Sequence, residues 1–87
     1  MPYQVIFKAS AQKELARLAW RDREKLLERL EVLVTDATPP AAVKLKGYDG
    51  LWRIRSGNFR AVYTEPDGND VIRIVRVGHR RVVYKIH

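Results

Sequence analysis

The sequence of 87 residues contains no cysteine, only two histidines and no long apolar run. Without cysteine there is neither a disulfide framework nor a thiolate zinc site, and two histidines are too few for a histidine metal cluster. No segment is long and apolar enough to span a membrane, and the first residues form no secretory signal pattern. We therefore expect a cytoplasmic protein that uses no metal or other cofactor and has no membrane contact.

The length predicts one domain, residues 1–87, because two cores would each be too small to hold a fold by burial alone. A chain of this size buries only about 60–65% of its unfolded surface. It has no room for a deep cleft, so any chemistry is expected on an open face, and a partner that covers this face would add stability.

The positive charge is concentrated in the second half of the chain. Residues 1–43 carry seven basic and six acidic side chains, whereas residues 44–87 carry ten basic and four acidic ones. This asymmetry indicates either a polyanionic partner or a solvated basic surface. Arginine outnumbers lysine by seven to three in residues 44–87, which favours the polyanion, because the planar guanidinium group suits phosphate oxygens.

The first half predicts a strand followed by two helices. A strand is predicted for Tyr3–Lys8, a short run that mixes β-branched and aromatic residues. Ser10 is the predicted N-cap of the first helix, and the second helix is predicted from about Asp22 to the Pro39-Pro40 pair. Its leucines recur at helical spacing. The two helices should therefore form an amphipathic hairpin that packs on a sheet.

The second half changes to the period of a β-sheet. Strands are predicted for Leu51–Arg55, Phe59–Glu65 and Val71–Val77, separated by turn-forming segments. Hairpin turns make neighbouring strands antiparallel. The final Val82–Ile86 segment is compatible with a strand extension or with a helical turn. The predicted fold class is α+β, with an N-terminal strand, a two-helix hairpin on an antiparallel sheet of about four strands, and a short C-terminal segment.

Three arginines are expected on one face of this sheet. Arg53 and Arg55 alternate with Trp52 and Ile54, so they share a face. A two-residue type II′ turn at Gly57-Asn58 would place Arg60 directly across from Arg55. Like charges opposite each other destabilise a sheet. Such a cluster indicates an anionic ligand, unless the side chains simply spread into solvent.

His79, Arg80, Arg81 and Tyr84 follow the third of these strands, at the predicted edge of the arginine cluster. The set has fixed positive charges, one group that titrates near neutrality and one phenol, but no pair of carboxylates for a divalent metal. These groups suit metal-free RNA cleavage, in which the ribose 2′-hydroxyl attacks the adjacent phosphate and the protein stabilises the developing charge. His79 is also compatible with an ordinary loop role, and Tyr84 with the core.

The sequence resembles the RelE toxins of the RelE/ParE superfamily in five segments that match in order and spacing. They are residues 44–47 (KLKG), 51–55 (LWRIR), 58–63 (NFRAVY), 76–80 (RVGHR) and 83–84 (VY). The resemblance implies a RelE-like fold and a toxin that cleaves mRNA in the ribosomal A site. It also implies a cognate antitoxin, in a possible hetero-oligomer with the toxin, and contact with ribosomal RNA.

The resemblance also implies roles for individual residues. Arg53 and Arg55 match strand positions that are often lysine, one of them a proposed general base. Arg60 matches the arginine that grips the transition-state phosphate, Arg80 the arginine at the leaving oxygen, and Tyr84 the tyrosine that stacks on a base. Arginine is a poor proton acceptor because it stays charged at any working pH. Either His79 is the base, or the reaction depends on positioning and charge.

Lys44, Lys46 and Arg81 are the predicted additional RNA contacts, with solvation as the competing interpretation for the two lysines. Two other functions fit the same fold. One is that of the ParE branch, in which the toxin poisons DNA gyrase and cleaves no RNA. The other is a non-catalytic RNA-binding module, whose binding would weaken steeply with salt.

Overall fold

The computed structural model describes residues 2–79, which form two helices packed on one face of a five-stranded sheet. In chain order the elements are β1 (Gln4–Phe7), α1 (Ala9–Ala16), α2 (Trp20–Glu31), a 3₁₀ turn (Val32–Val34), β2 (Val43–Lys44), β3 (Leu51–Ser56), β4 (Phe59–Thr64) and β5 (Val71–His79). The order of strands across the sheet is β1-β5-β4-β3-β2. No helix in this part of the chain is long and apolar enough to cross a membrane.

The sheet confirms the predicted fold class and adds two features. Strands β2 to β5 are antiparallel to their neighbours, whereas β1 pairs in parallel with β5, with Gln4 opposite Val71 and Phe7 opposite Ile74. The strand count is five, not about four, because Val43–Lys44 forms a short edge strand against β3. Two residues are too few to produce a periodic signal in the sequence.

Both helices begin earlier than predicted. Helix α1 begins at Ala9, and Lys8, not Ser10, occupies the N-cap position; helix α2 begins at Trp20 after Ala19, not at Asp22. Neither cap residue makes a side-chain hydrogen bond. The start of α1 is set by the sheet, because the N–H of Lys8 donates to the carbonyl of Ile74 at the end of β1. Tertiary pairing thus overrides a local capping preference.

Helix α2 also ends earlier than the proline pair predicts. It ends at Glu31, and the 3₁₀ turn follows. The backbone N–H groups of Thr35 and Asp36 both donate to the carbonyl of Val32, which closes the turn. The chain therefore leaves the helix before Pro39-Pro40, so this predicted boundary was wrong.

The core lies between the helices and the sheet. It is made of apolar side chains that are fully or almost fully buried, namely Ala11, Leu26, Leu30, Leu33, Ile54, Ala61, Tyr63, Ile72, Ile74 and Val77. The hydroxyl of Tyr63 donates to the carbonyl of Ala37 over 2.8 Å. Burial, and secondly the charge of Asp36, raise the pKa of Tyr63 well above its ordinary value. Tyr63 is therefore a neutral donor that ties the loop after the 3₁₀ turn to β4.

Candidate functional site

The β3–β4 hairpin has the register that the turn sequence predicts. Ser56 is paired with Phe59 and Arg55 with Arg60. Gly57 has a φ of +60°, whereas Asn58 does not have a positive φ, as a type II′ turn requires. Glycine adopts this backbone conformation without the steric cost that a side chain would bring. The turn therefore places the two arginines directly across from each other.

Arg53, Arg55 and Arg60 lie on the sheet face that points away from the helices; we call this the arginine face. The assignment follows from alternation, because Ile54, Ala61 and Tyr63, their neighbours along the strands, belong to the core on the other side. Arg55 is exposed, and Arg53 and Arg60 are half-buried. The three arginines therefore share one face of the sheet, as the alternation along the strands predicts.

The electrostatics of the arginine face are set by the close spacing of its guanidinium groups. Directly opposed residues on a sheet have Cβ atoms about 4.5–5.5 Å apart, so Arg55 and Arg60 are held close by the backbone. Partial burial, and secondly the charge of Arg55, lower the pKa of Arg53 below its ordinary value. Within residues 2–79, neither Arg53 nor Arg55 has a carboxylate at ion-pair distance. No carboxylate of this part of the chain therefore competes with an anion for these two guanidinium groups.

The cluster borders a small apolar floor on the same face. Val62 is fully buried and packs with Leu45, and Leu51 and Val75 lie against them. Arg53 is registered opposite Val62, so its charged end extends from an apolar base. Apolar surroundings strengthen electrostatic interactions because they lower the local dielectric constant. A phosphate at this border would be bound more tightly than on a fully hydrated arginine pair.

Strand β5 brings Gly78 and not His79 to the arginine face. Gly78 is paired with Arg60, so β5 contributes no side chain beside that arginine. His79 is paired with Phe59, and the two rings meet edge to face with centroids 5.9 Å apart. Phe59 alternates onto the helix side of the sheet together with Ala61 and Tyr63. The structure therefore separates His79 from the arginines with which it was expected to act.

Two other predicted site residues, Lys44 and Lys46, lie in and just after the edge strand β2. Lys44 is paired with Trp52, which assigns it to the helix side of the edge strand. Lys46 lies in the following loop and is exposed. Both lysines line a shallow groove of about 610 Å³ together with Tyr48 and Asp49. Their predicted RNA contacts remain a prediction. Arg80, Arg81 and Tyr84 lie outside the described residues.

Two further arginines of β5 face carboxylates. Arg73 forms an ion pair with Asp67, with 2.7 Å between nitrogen and oxygen, and Arg76 forms one with Glu14 of α1, with 3.0 Å between them. The side-chain hydrogen bond from Arg73, followed by the backbone N–H groups of Val71 and Asn69, lowers the pKa of Asp67 to about 2. These ion pairs distinguish Arg73 and Arg76 from Arg53 and Arg55.

Sequence reasoning missed Glu14. Its carboxylate accepts a hydrogen bond from the backbone N–H of Val77 over 3.0 Å, in addition to its ion pair with Arg76. A single glutamate on an amphipathic helix has the pattern of a solvated residue, so nothing in the sequence indicates this contact. In the part of the chain that the structure describes, no cluster of histidine, aspartate and glutamate could hold a metal ion.

Comparisons with known proteins agree on a family of toxins. Residues 5–84 match the family model described as the ParE toxin of type II toxin–antitoxin systems. A search of curated proteins finds no match.

Among solved structures, the chain is similar to a double arginine-to-alanine variant of the Escherichia coli toxin RelE in the free state. The two are 31% identical with a TM-score of 0.77, over 91% of this chain and 84% of that one. It is also similar to RelE in the RelE–RelB complex of Pyrococcus horikoshii, at 27% identity and a TM-score of 0.78, over 92% and 97% of the two chains. The RelBE2 toxin–antitoxin complex of Mycobacterium tuberculosis contains a third similar chain, at 26% identity and a TM-score of 0.76, over 92% and 100%.

Proposed function

Because this chain belongs to the RelE/ParE superfamily of type II toxin–antitoxin systems, we propose that it is the toxin and that it cleaves mRNA in the ribosomal A site. The observation that carries the proposal is the arginine face, where Arg55 stands directly opposite Arg60 with Arg53 beside them. A sheet keeps opposed like charges at a cost in stability. An anionic substrate that binds between them offsets that cost.

The proposed reaction is attack of the ribose 2′-hydroxyl on the adjacent phosphorus. A bond forms between the 2′-oxygen and phosphorus, the bond to the 5′-oxygen breaks, and the products are a 2′,3′-cyclic phosphate and a 5′-hydroxyl. Negative charge builds up on the phosphoryl oxygens in the transition state. In this proposal Arg60 and Arg55 donate to those oxygens from opposite strands, and this is the electrostatic stabilisation that a preorganised cluster supplies.

Proton removal is not assigned to a side chain of the arginine face. Arg53 has a lowered pKa, but a guanidinium group remains charged in proteins and is a poor proton acceptor. His79 lies on the opposite side of the sheet. We therefore favour the alternative in which the rate enhancement comes from positioning the RNA and from charge stabilisation. Arg80 as the group at the leaving oxygen and Tyr84 as the base-stacking residue remain part of the proposal.

We further propose that a cognate antitoxin inhibits the toxin by covering the arginine face. The Pyrococcus and Mycobacterium relatives were solved as complexes with antitoxins. A cluster of arginines beside an apolar floor fits a segment with acidic and apolar side chains. Binding should therefore weaken when Arg53, Arg55, Arg60 and Arg80 are all changed to alanine. Undiminished binding to this variant would argue against an acidic contact at this face.

Cleavage by purified toxin on ribosomes programmed with mRNA tests the activity. Arg60→Ala and Arg80→Ala should each lower cleavage about 10²–10³-fold without unfolding the protein, the scale for loss of one transition-state donor. Lys25→Ala, on the exposed surface of α2, is the matched control and should cleave normally. A 2′-deoxy nucleotide at the cut site should stop cleavage. Wild-type rates in both well-folded arginine variants would refute the assignment.

The second candidate function is inhibition of DNA gyrase, favoured by the ParE description of the matching family model. Under this alternative the toxin should trap gyrase–DNA cleavage complexes and leave mRNA intact. Incubating the toxin with gyrase and supercoiled DNA detects such complexes as linearised plasmid. Linear DNA with no ribosome-dependent RNA cleavage would reverse the order of the two candidates.

A further inference from the structure

Strand β5 is contacted by two different elements along the edge that faces away from β4. They are strand β1 and helix α1. Strand β1 pairs with β5 only from Val71 to Ile74, and the last contact is the hydrogen bond from the N–H of Lys8 to the carbonyl of Ile74. The chain then turns into α1. Within residues 2–79, no strand pairs with the outer edge of β5 beyond Ile74, although β5 continues to His79.

Beyond Ile74, the side chain of Glu14 contacts this edge of β5. Its Oε1 accepts the hydrogen bond from the N–H of Val77, and its Oε2 lies 3.0 Å from Nε of Arg76. Glu14 comes one helical turn after Ala11, whose complete burial marks the face of α1 that packs on the sheet. Only 22% of the Glu14 side chain is exposed. The carboxylate thus supplies a hydrogen-bond acceptor to β5 beyond the point where its pairing with β1 ends.

The same stretch of β5 is irregular on its other side. The pairing with β4 shifts in register so that Val62 faces Arg76 and Tyr63 faces Ile74, which leaves Val75 as the extra residue of a bulge. A bulge bends its strand and redirects the side chains that follow. The Glu14 contacts fall on the two residues directly after this extra residue. They are therefore placed to fix the direction in which the end of β5 runs.

The end of β5 is also the part that meets the arginine face. Gly78, the residue after Val77, is paired with Arg60. We propose that Glu14 is a positioning residue, which holds the end of β5 against β4 and thereby sets the geometry around Arg60. This inference rests on the proposed RNA cleavage. Glu14 touches no substrate and acts only through the strand.

Two substitutions of Glu14 distinguish the effect of its hydrogen bond to Val77 from the effect of its negative charge. Glu14→Ala removes both contacts, whereas Glu14→Gln keeps an acceptor oxygen for the N–H of Val77 and loses the negative charge beside Arg76. Glu24→Gln makes the same change of charge at an exposed position of α2 and serves as the control. All variants are compared at a temperature at which circular dichroism shows them to be fully folded.

The experiment combines amide hydrogen exchange with cleavage on programmed ribosomes. In Glu14→Ala the Val77 amide should exchange about tenfold faster or more, because a charge-assisted hydrogen bond is lost. The kcat of Glu14→Ala should fall on the order of 10–100-fold, as expected when a transition-state group is displaced by about 1 Å. The KM of this variant should stay within about twofold of the wild-type value, because the arginines remain. Glu14→Gln should recover most of both properties, and Glu24→Gln should match the wild type.

Each of the following outcomes would overturn the inference. Unchanged exchange at Val77 in Glu14→Ala would show that the carboxylate does not hold the strand. Faster exchange with unchanged kcat would show that Glu14 serves stability alone. A wild-type protein that does not cleave RNA would refute the proposed function, and with it this role, whereas normal wild-type cleavage with an equally active Glu14→Ala would refute only the positioning role.

Discussion

Changing Arg55 to glutamine should stabilise the fold and impair RNA cleavage at the same time. Arg55 is exposed, is paired directly with Arg60 and shares its strand face with Arg53. Two unit charges about 6 Å apart in water repel each other by about 0.7 kcal/mol. Removing one charge of a directly opposed pair on a sheet is worth about 0.2–1 kcal/mol. We therefore expect the free energy of unfolding to rise by about 0.5–1 kcal/mol at low ionic strength.

Urea denaturation and thermal unfolding measure this gain. A gain of this size corresponds to an increase in Tm of about 2–8 °C for a domain of this length. In 1 M salt the increase should nearly disappear, because the Debye length falls to about 3 Å. Lys25→Gln removes a positive charge from an exposed helix position and should change stability by no more than about 0.5 kcal/mol at either salt concentration.

A stability gain alone would show only that the charges repel. The functional interpretation requires that Arg55→Gln also lower cleavage on programmed ribosomes, while Lys25→Gln leaves it unchanged. If Arg55→Gln is no more stable than the wild type at low salt, the guanidinium groups of Arg55 and Arg60 do not destabilise the fold by repulsion. The paired arginines would then carry no stability cost for a bound phosphate to offset.

Two further predictions concern groups that stabilise the fold. Tyr63→Phe should lower the free energy of unfolding by about 1–3 kcal/mol in urea titrations, because it leaves the carbonyl of Ala37 without its buried donor; an unchanged midpoint would mean that water replaces the hydroxyl. The pKa of Asp67 is lowered to about 2 by Arg73, below its unfolded value of about 3.9. Its stabilising effect is therefore complete above about pH 4 and is lost as the pH falls toward 2. Asp67→Asn should remove this part of the acid dependence from a series of Tm measurements between pH 2 and 6, and identical curves for the two proteins would contradict it.

Local signals were sufficient to predict the arginine face. A two-residue turn leaves one register for its hairpin, and alternation then assigns each side chain of β3 and β4 to a face. Arg55 and Arg60 are therefore paired as the turn sequence predicts. The leucines on the core side of α2 were also predictable from local sequence, because their spacing follows the helical period.

Features that depend on distant parts of the chain were not predictable. The parallel pairing of β1 with β5 joins segments from opposite ends of the sequence, and it also determines where α1 begins. The position of His79 depends on the length of β5. The strand was predicted to end at Val77, but it continues to His79, and alternation past Gly78 turns the imidazole to the helix side. No periodic pattern records the length of a strand to that accuracy.

The most direct test of the central claim is to map mRNA 5′ ends across the transcriptome after brief induction of the toxin. RNA cleavage in the ribosomal A site predicts new 5′ ends within translated codons, which disappear when translation is blocked beforehand and in the Arg60→Ala variant. Growth arrest without new 5′ ends would contradict the account. Growth arrest accompanied by gyrase–DNA cleavage complexes would assign the toxin to the gyrase-inhibiting branch instead.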